Sequence, residues 1–351
     1  IEVADRALIA AERVDLVGLV ADTLVTKGTA LGHVGRAYEG QGAVETGLHL
    51  AQRHGLVLTA LRARVNLGVL MGHVDPRASL ENDRAGLAEA RRLGRAATVI
   101  SFLFNVSAGS VTTGDWDEAL PALEELLTGE LEPEERITLL VALLGVRDWR
   151  GEEVDALLAE VERLAVDIDP NVLSSVDDAR AGRAFARGDF ETAAAVYRRL
   201  AEPGTNAADS MFTLAARASL LRRDAASASS DLEALEATGI HGLLINARRL
   251  SIRAGLAALD GRSADAMALY RDALRGFRDL GLPVDEAFTA IEMAMLLDPA
   301  DPEVRAAADA ARAILTRLRA RPFLERLEAA LARPAPPLPL MPTRAADTSP
   351  V

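Results

Sequence analysis

The chain has no cysteine, which excludes disulfides and thiolate-held metal and suits a reducing compartment. Aromatic residues are scarce, at 4% of the 351 positions. Alanine and leucine dominate instead, a composition that favours helices over strands. Lysine occurs once, at Lys27, so nearly every cation is an arginine, and the formal net charge is −13. An acidic chain lacks the basic face that would release counterions from a phosphate backbone, so no direct nucleic-acid contact is expected. No apolar run looks long enough for a membrane span and no signal-like segment opens the chain, so no membrane partner and a cytoplasmic location are expected.

The signals of catalysis are also missing. Lys27 sits in "LVTKGTA" without the glycine-rich loop of a phosphate-binding lysine, and "GQGAVE" at 40–45 carries two glycines of a dinucleotide fingerprint but not the third. The five histidines, His33, His49, His54, His73 and His241, include no i, i+4 pair with a glutamate. Acidic pairs such as Glu124-Glu125, Glu134-Glu135 and Glu152-Glu153 fit solvated helix ends. The expectation is a protein that is not an enzyme and carries no cofactor or metal.

What is present is a repeat. The length exceeds one compact core and suits two domains or an elongated array. Gly114, Gly151 and Gly188 are spaced by 37 residues, and each is followed five positions later by an alanine: Ala119, Ala156 and Ala193. The alanine slot continues at Ala228 and Ala266, and backwards at Ser79 and Val44. Eleven or twelve residues before each slot stands another small residue, Gly32, Gly68, Ser107, Ala181, Ala216 or Ala254, with Leu144 as the exception. Four residues after the slot comes a larger apolar side chain, Leu48, Leu123, Tyr197, Leu232 or Tyr270, a column broken by Asp83 and Glu160. Small residues at two fixed places let paired helices approach closely, and the large one fills the gap to the next pair.

Each unit therefore reads as helix, tight turn, helix. Glycine at the turn can take the left-handed conformation that ends the first helix. Asp115 with Glu118 has capping-box spacing, and Asp75-Pro76, Asp169-Pro170 and Asp301-Pro302 place an N-capping aspartate before a first-turn proline. Trp116 and Trp149, near successive turns, are expected to pack between units.

This pattern resembles the tetratricopeptide repeat over roughly residues 15–280, with longer periods than the 34-residue unit of that family. It is similar in particular to the C-terminal arrays of large bacterial ATP-dependent LuxR-type regulators and multidomain nucleotide cyclases. The stretch "ILTRLRARPFLERLEAALAR", with Arg321, Pro322, Phe323 and Leu324, resembles the last helix of such arrays. The resemblance implies an all-α fold, a right-handed α-solenoid of stacked antiparallel helix pairs. Residues 1–13 would be the second helix of a truncated repeat, 14–281 the repeats, 282–333 degenerate terminal helices with a capping helix, and 334–351 a proline-rich disordered tail. The start inside a helical pattern leads us to expect a fragment of a longer signalling protein.

In a superhelix of this kind the first helix of each unit lines the inner wall. Projecting the family register onto the chain selects Thr29, His33, Arg36, Arg62, His73, Phe104, Trp149, Asp178, Arg217 and Arg248 as candidate groove residues, with Thr26, Ser101, Thr112, Thr138, Asp148, Ser175, Phe185, Ser210, Thr213 and Ser251 on the same projected wall. Arginines among serines and threonines suit a peptide backbone, a carboxylate or a phosphorylated tail. The expected role is a binding scaffold for a protein or peptide, the protein's own N-terminal ATPase or cyclase module among them. The alternative is a sensor that holds a small effector in the groove.

Overall fold

A computed structural model describes residues 1–72, 74–118, 120–165, 170–201 and 208–333. The proline-rich segment 334–351, His73 and the cap at Asp169 lie outside the described residues. Within them the fold is all-α, with eighteen helices and no strand. After α1 (Glu2–Glu12) come four hairpins: α2 (Val17–His33) with α3 (Ala37–Arg53), α4 (Val57–Gly72) with α5 (Pro76–Arg92), α6 (Ala96–Thr113) with α7 (Leu120–Leu127), and α8 (Pro133–Arg150) with α9 (Asp155–Leu164). Three more follow: α10 (Pro170–Arg187) with α11 (Phe190–Leu200), α12 (Ala208–Leu221) with α13 (Ala225–Ala237), and α14 (Leu243–Leu259) with α15 (Ser263–Asp279). The last helices are α16 (Pro283–Leu296), α17 (Pro302–Leu318) and α18 (Arg321–Leu331).

The local signals act largely as their chemistry dictates. Gly114, Gly151 and Gly188 all have positive φ, between +70° and +83°, and the first two terminate α6 and α8. Asp75 caps α5 by accepting from the Ala78 amide, and Asp301 caps α17 by accepting from those of Glu303 and Val304. The box expected at Asp115 and Glu118 does not form. Helix α7 starts only at Leu120, and both carboxylates are drawn instead to Arg84 of α5. The capping box that does form joins Glu132 and Glu135 at the start of α8.

Helix pairs pack where the small residues permit it. A methyl group on Gly32 would lie 2.1 Å from Leu70 of α4, and one on Gly68 would lie 2.3 Å from the Asp83 carboxylate. Ala193, Ala228 and Ala266 are fully buried, as are the large partners Tyr197 and Tyr270. In α9 the register differs from the expected one: Ala156 and Glu160 face outward, and Val154 and Val161 are the buried side chains. Counting five residues from Gly151 misplaces the slot there by one position, so Glu160 interrupts no apolar column. Asp83, by contrast, is a charged group at a buried slot.

One helix, α6, is as long and apolar as a membrane span, contrary to the expectation from the sequence. Its Ile100, Phe102, Leu103 and Val106 are buried between neighbours that include α4, α5 and α8.

The first helices of successive hairpins touch in the series α2, α4, α6, α8 and α10, and again from α12 through α14 to α16. The C-terminal helices then return to the middle of the chain. Helix α16 packs on α6 and α12, and α18 on α8 and α10. Nearly every side chain of α16 is buried, as expected of a helix surrounded by others. The glycine turns of the early hairpins form the seam of this closure. Gly114 abuts Pro283, Gly151 abuts Pro322, Gly188 faces Arg326, and Gly35 meets the backbone of Gly239.

Arginines fasten the seam by donating to backbone carbonyls at or just beyond helix ends. Arg77 donates to Gly281 at the end of α15, Arg150 to Leu318 at the end of α17, and Arg326 to Phe185 and Ala186 at the end of α10. A planar guanidinium near a helix C-terminus satisfies such carbonyls and opposes the dipole at once. Arg326 also lies over the rings of Phe190 and Phe323. The marked preference for arginine over lysine has a structural use here.

Candidate functional site

The return of α16 leaves a cavity of about 290 Å³ bounded by α6, α8, α10, α11, α12, α14 and α16. Of the candidate groove residues, Phe104, Trp149, Asp178, Arg217 and Arg248 line it. Their neighbours Thr112, Asp148, Ser210 and Thr213 line it too. Thr29, His33, Arg36 and Arg62 lie instead on the N-terminal hairpins. There Arg62 is held by Asp22 and Thr26, and Thr29 bonds back to the Val25 carbonyl.

One side of the cavity rests on aromatic packing. Trp149 contacts Trp116, Phe288 and Phe323, with ring centroids 5.2 to 6.0 Å apart. Phe185 joins the cluster through Phe288. Trp116 is itself buried and donates its indole N–H to the Val111 carbonyl. The two tryptophans pack on each other, but Trp149 packs also on Phe288 of α16 and Phe323 of α18 and not on an adjacent unit alone, and it presents part of its surface to the cavity.

The floor is a buried ionic network. Arg217, 3% exposed, donates to Glu292, reaches Asp285 at 3.4 Å and lies over Phe288. Arg248 donates to Ser210 and approaches Asp209 at 3.4 Å and Asp285 at 3.9 Å. Ser251 donates to Glu292. Burial raises the Glu292 carboxyl, and the adjacent guanidinium, with the Ser251 hydroxyl, pulls it back down. Burial works against the charge of Arg217, but Glu292 and Asp285 overcome it and its pKa moves up. A guanidinium does not surrender its proton in a protein, so Arg217 stays charged, while the Glu292 carboxyl remains on balance above its ordinary value.

The opposite wall carries carboxylates of another kind. Asp148 on α8 and Asp178 on α10 make no hydrogen bond or ion pair within hydrogen-bonding distance among the described residues. Desolvation raises Asp148 to about 6, with Arg183 and Arg187 acting in the opposite direction. Asp178 is exposed where it lines the cavity, and partial desolvation by the surrounding protein raises it to about 6 as well. Its charge adds to burial in raising the Tyr197 phenol.

The sequence projection missed α16, and with it Asp285, Phe288 and Glu292. A signal was available: in "VDEAFTAIEMAML" the seven-residue separation of Asp285 and Glu292 puts both carboxylates on one face of an otherwise apolar helix. Gly145 and Gly182, which also line the cavity, carried no comparable mark.

Fold and site together define an all-α protein that encloses a mixed apolar and acidic cavity between the first helices of its hairpins and its own C-terminal helices. No protein-family model matches the chain, and no curated protein matches it. Among the described residues there is no cluster of histidine and carboxylate groups able to hold a metal.

Proposed function

We propose that the chain is a right-handed α-solenoid of tetratricopeptide-like helix pairs, non-catalytic, in which a small effector occupies the central cavity. The observation that carries this reading is the position of α16. It packs against α6 and α12 as well as α14, on the side where an extended peptide would lie in such an array, and borders a partly enclosed space of about 290 Å³, close to the lower end of small-molecule sites, about 300 Å³. Because α16 touches both early and late hairpins, a ligand held against Phe288 and Arg217 would bear on the seam between the two halves.

The test is a thermal-shift series with low-molecular-mass metabolites on the parent and on Gly145→Phe. A methyl group added at Gly145 meets no atom within 4 Å, so a larger side chain has room to leave the backbone there and would extend into the cavity that Gly145 lines. A specific ligand raises the melting temperature in step with its concentration over its dissociation constant. The reading expects such ligands to lose their effect on Gly145→Phe. No stabilising ligand, or equal stabilisation of both proteins, would refute it.

A scaffold for a protein or peptide is the second reading, and its partners include the ATPase or cyclase module implied by the resemblance. It is favoured by the exposed apolar side chains Val3, Ile9, Val14, Leu16 and Leu19 on and after α1, since contiguous apolar surface marks interaction sites. Capture of a partner by the parent and its loss on changing Ile9, Leu16 and Leu19 to glutamate would support it.

A further inference from the structure

We propose that the ligand of the central cavity is an organic cation, a protonated amine or quaternary ammonium carried on an apolar body the size of one aromatic ring. The proposal rests on the reading of the cavity as an effector site and assigns the chemistry of the effector. Asp148 lines the cavity, is only 7% exposed, and has no hydrogen-bond or ion-pair partner among the described residues. Asp178 lines the same cavity and likewise has none. Asp148 loses hydration there with no hydrogen bond in return and only the charges of Arg183 and Arg187, beyond ion-pair distance, to offset it. Asp178, exposed in the same partly enclosed space, adds a second carboxylate, so the two form a cation site.

The rest of the wall narrows the choice. Phe104, Trp149 and Phe288 supply aromatic surface, which attracts a cation through the ring quadrupole and holds an apolar body by contact. An anion would meet Asp148 and Asp178 with like charge. Arg217 and Arg248 offer it little, because Glu292, Asp285 and Asp209 already engage them. Arg183, the remaining cation of the wall, is tied to Asp155 through Nη2; its Nη1 is buried without a partner, and its charge already acts on Asp148. A neutral ligand would leave both carboxylates without an ion-pair partner.

Room for the ligand comes from glycines beside the two acids. Gly145 lies three residues before Asp148 and Gly182 four after Asp178, so each shares a helix face with its carboxylate. A methyl group at Gly182 would lie 3.4 Å from the indole nitrogen of Trp149 and 3.9 Å from the Tyr197 hydroxyl, and one at Gly145 would meet only open space. Side chains at these two positions would occupy the volume between the acids and the rings.

Isothermal titration of the full chain with phenethylammonium and benzyltrimethylammonium tests the proposal, with 2-phenylethanol as the neutral analogue and 3-phenylpropionate as the anionic one. At least one cation should bind about tenfold or more tighter than both analogues. The Asp148→Asn/Asp178→Asn protein, matched to the parent in helicity, should lose about that factor for the cation and none for the alcohol. Should the double variant fail to fold, Asp178→Asn alone, at the more exposed position, carries the same comparison. Equal binding of alcohol or anion, or undiminished cation binding by the variant, would overturn the assignment. If a neutral or anionic probe binds and Gly145→Phe abolishes it, the cavity reading stands and the cation assignment falls. If no probe binds at millimolar concentration, the assignment also falls, and the metabolite series decides the cavity reading separately.

Discussion

Asp83→Asn should stabilise this protein at pH 8 and change it little at pH 4.5. Asp83 is 3% exposed on α5 and faces Gly68 of α4, at a slot where most units carry a large apolar side chain. Burial raises its carboxyl to about 7, and the amides of Asn105 and Asn82 reverse this only in part. The Asn82 amide is 3.4 Å away, and the Asn105 Nδ2 is buried without a well-formed hydrogen bond, so its pull on Asp83 is mainly electrostatic. The folded state therefore holds this proton more tightly than the unfolded chain, whose aspartate titrates near 3.9. As pH rises between about 4 and 7 the unfolded state gains on the folded one, and above 7 the full penalty applies. Three pKa units correspond to about 4 kcal/mol at most, and a gain of about 2–4 kcal/mol is expected for the uncharged isostere at pH 8. Urea denaturation of parent and variant at both pH values measures it. Asp148, Asp178 and Glu292 titrate in both proteins, so the difference between them isolates Asp83. A variant that is less stable than the parent at pH 8, or a difference that does not vary with pH, would refute the reasoning.

Two substitutions to alanine at glycines of α8 should have opposite signs. Gly151→Ala forces a side chain into φ +70° and 2.9 Å from Pro322, at a cost of about 1–2 kcal/mol or more. Gly145→Ala meets no neighbour within 4 Å and should stabilise α8 by about 0.5–1 kcal/mol; chemical denaturation of the two variants gives both signs. Arg217→Met leaves Glu292 buried without its cation and Asp285 with only Arg248 at 3.9 Å and should cost about 3–5 kcal/mol. Adding Glu292→Leu should recover part of that loss, and a double-mutant cycle by denaturant midpoint would show it; strict additivity would mean that the two residues do not act as a pair.

The helical character and the hairpin units were legible in the sequence because both depend on near neighbours. Gly114, Gly151 and Gly188 terminate or follow helices through their own backbone freedom, Asp75 and Asp301 cap through amides two or three residues away, and small residues at fixed intervals set helix approach. Half of the candidate groove residues line the cavity for the same reason, since a repeating register places equivalent positions on one wall. The local reading failed where a distant group competed. Arg84 diverted Asp115 and Glu118 from their capping box, and the register of α9 slipped by one residue to bury Val154 and Val161.

By itself the sequence determined an all-helical chain of paired helices with an acidic, arginine-rich surface, since propensity, turns and caps are local properties. Only the tertiary structure decided that α16 and α18 return to helices from the middle of the chain, and that the Arg217 and Arg248 network is already neutralised from α16 and α12. The same closure gives Asp148 and Asp178 a shared cavity. Each of these depends on contacts across tens to hundreds of residues, where burial and charge, not sequence spacing, choose the partner.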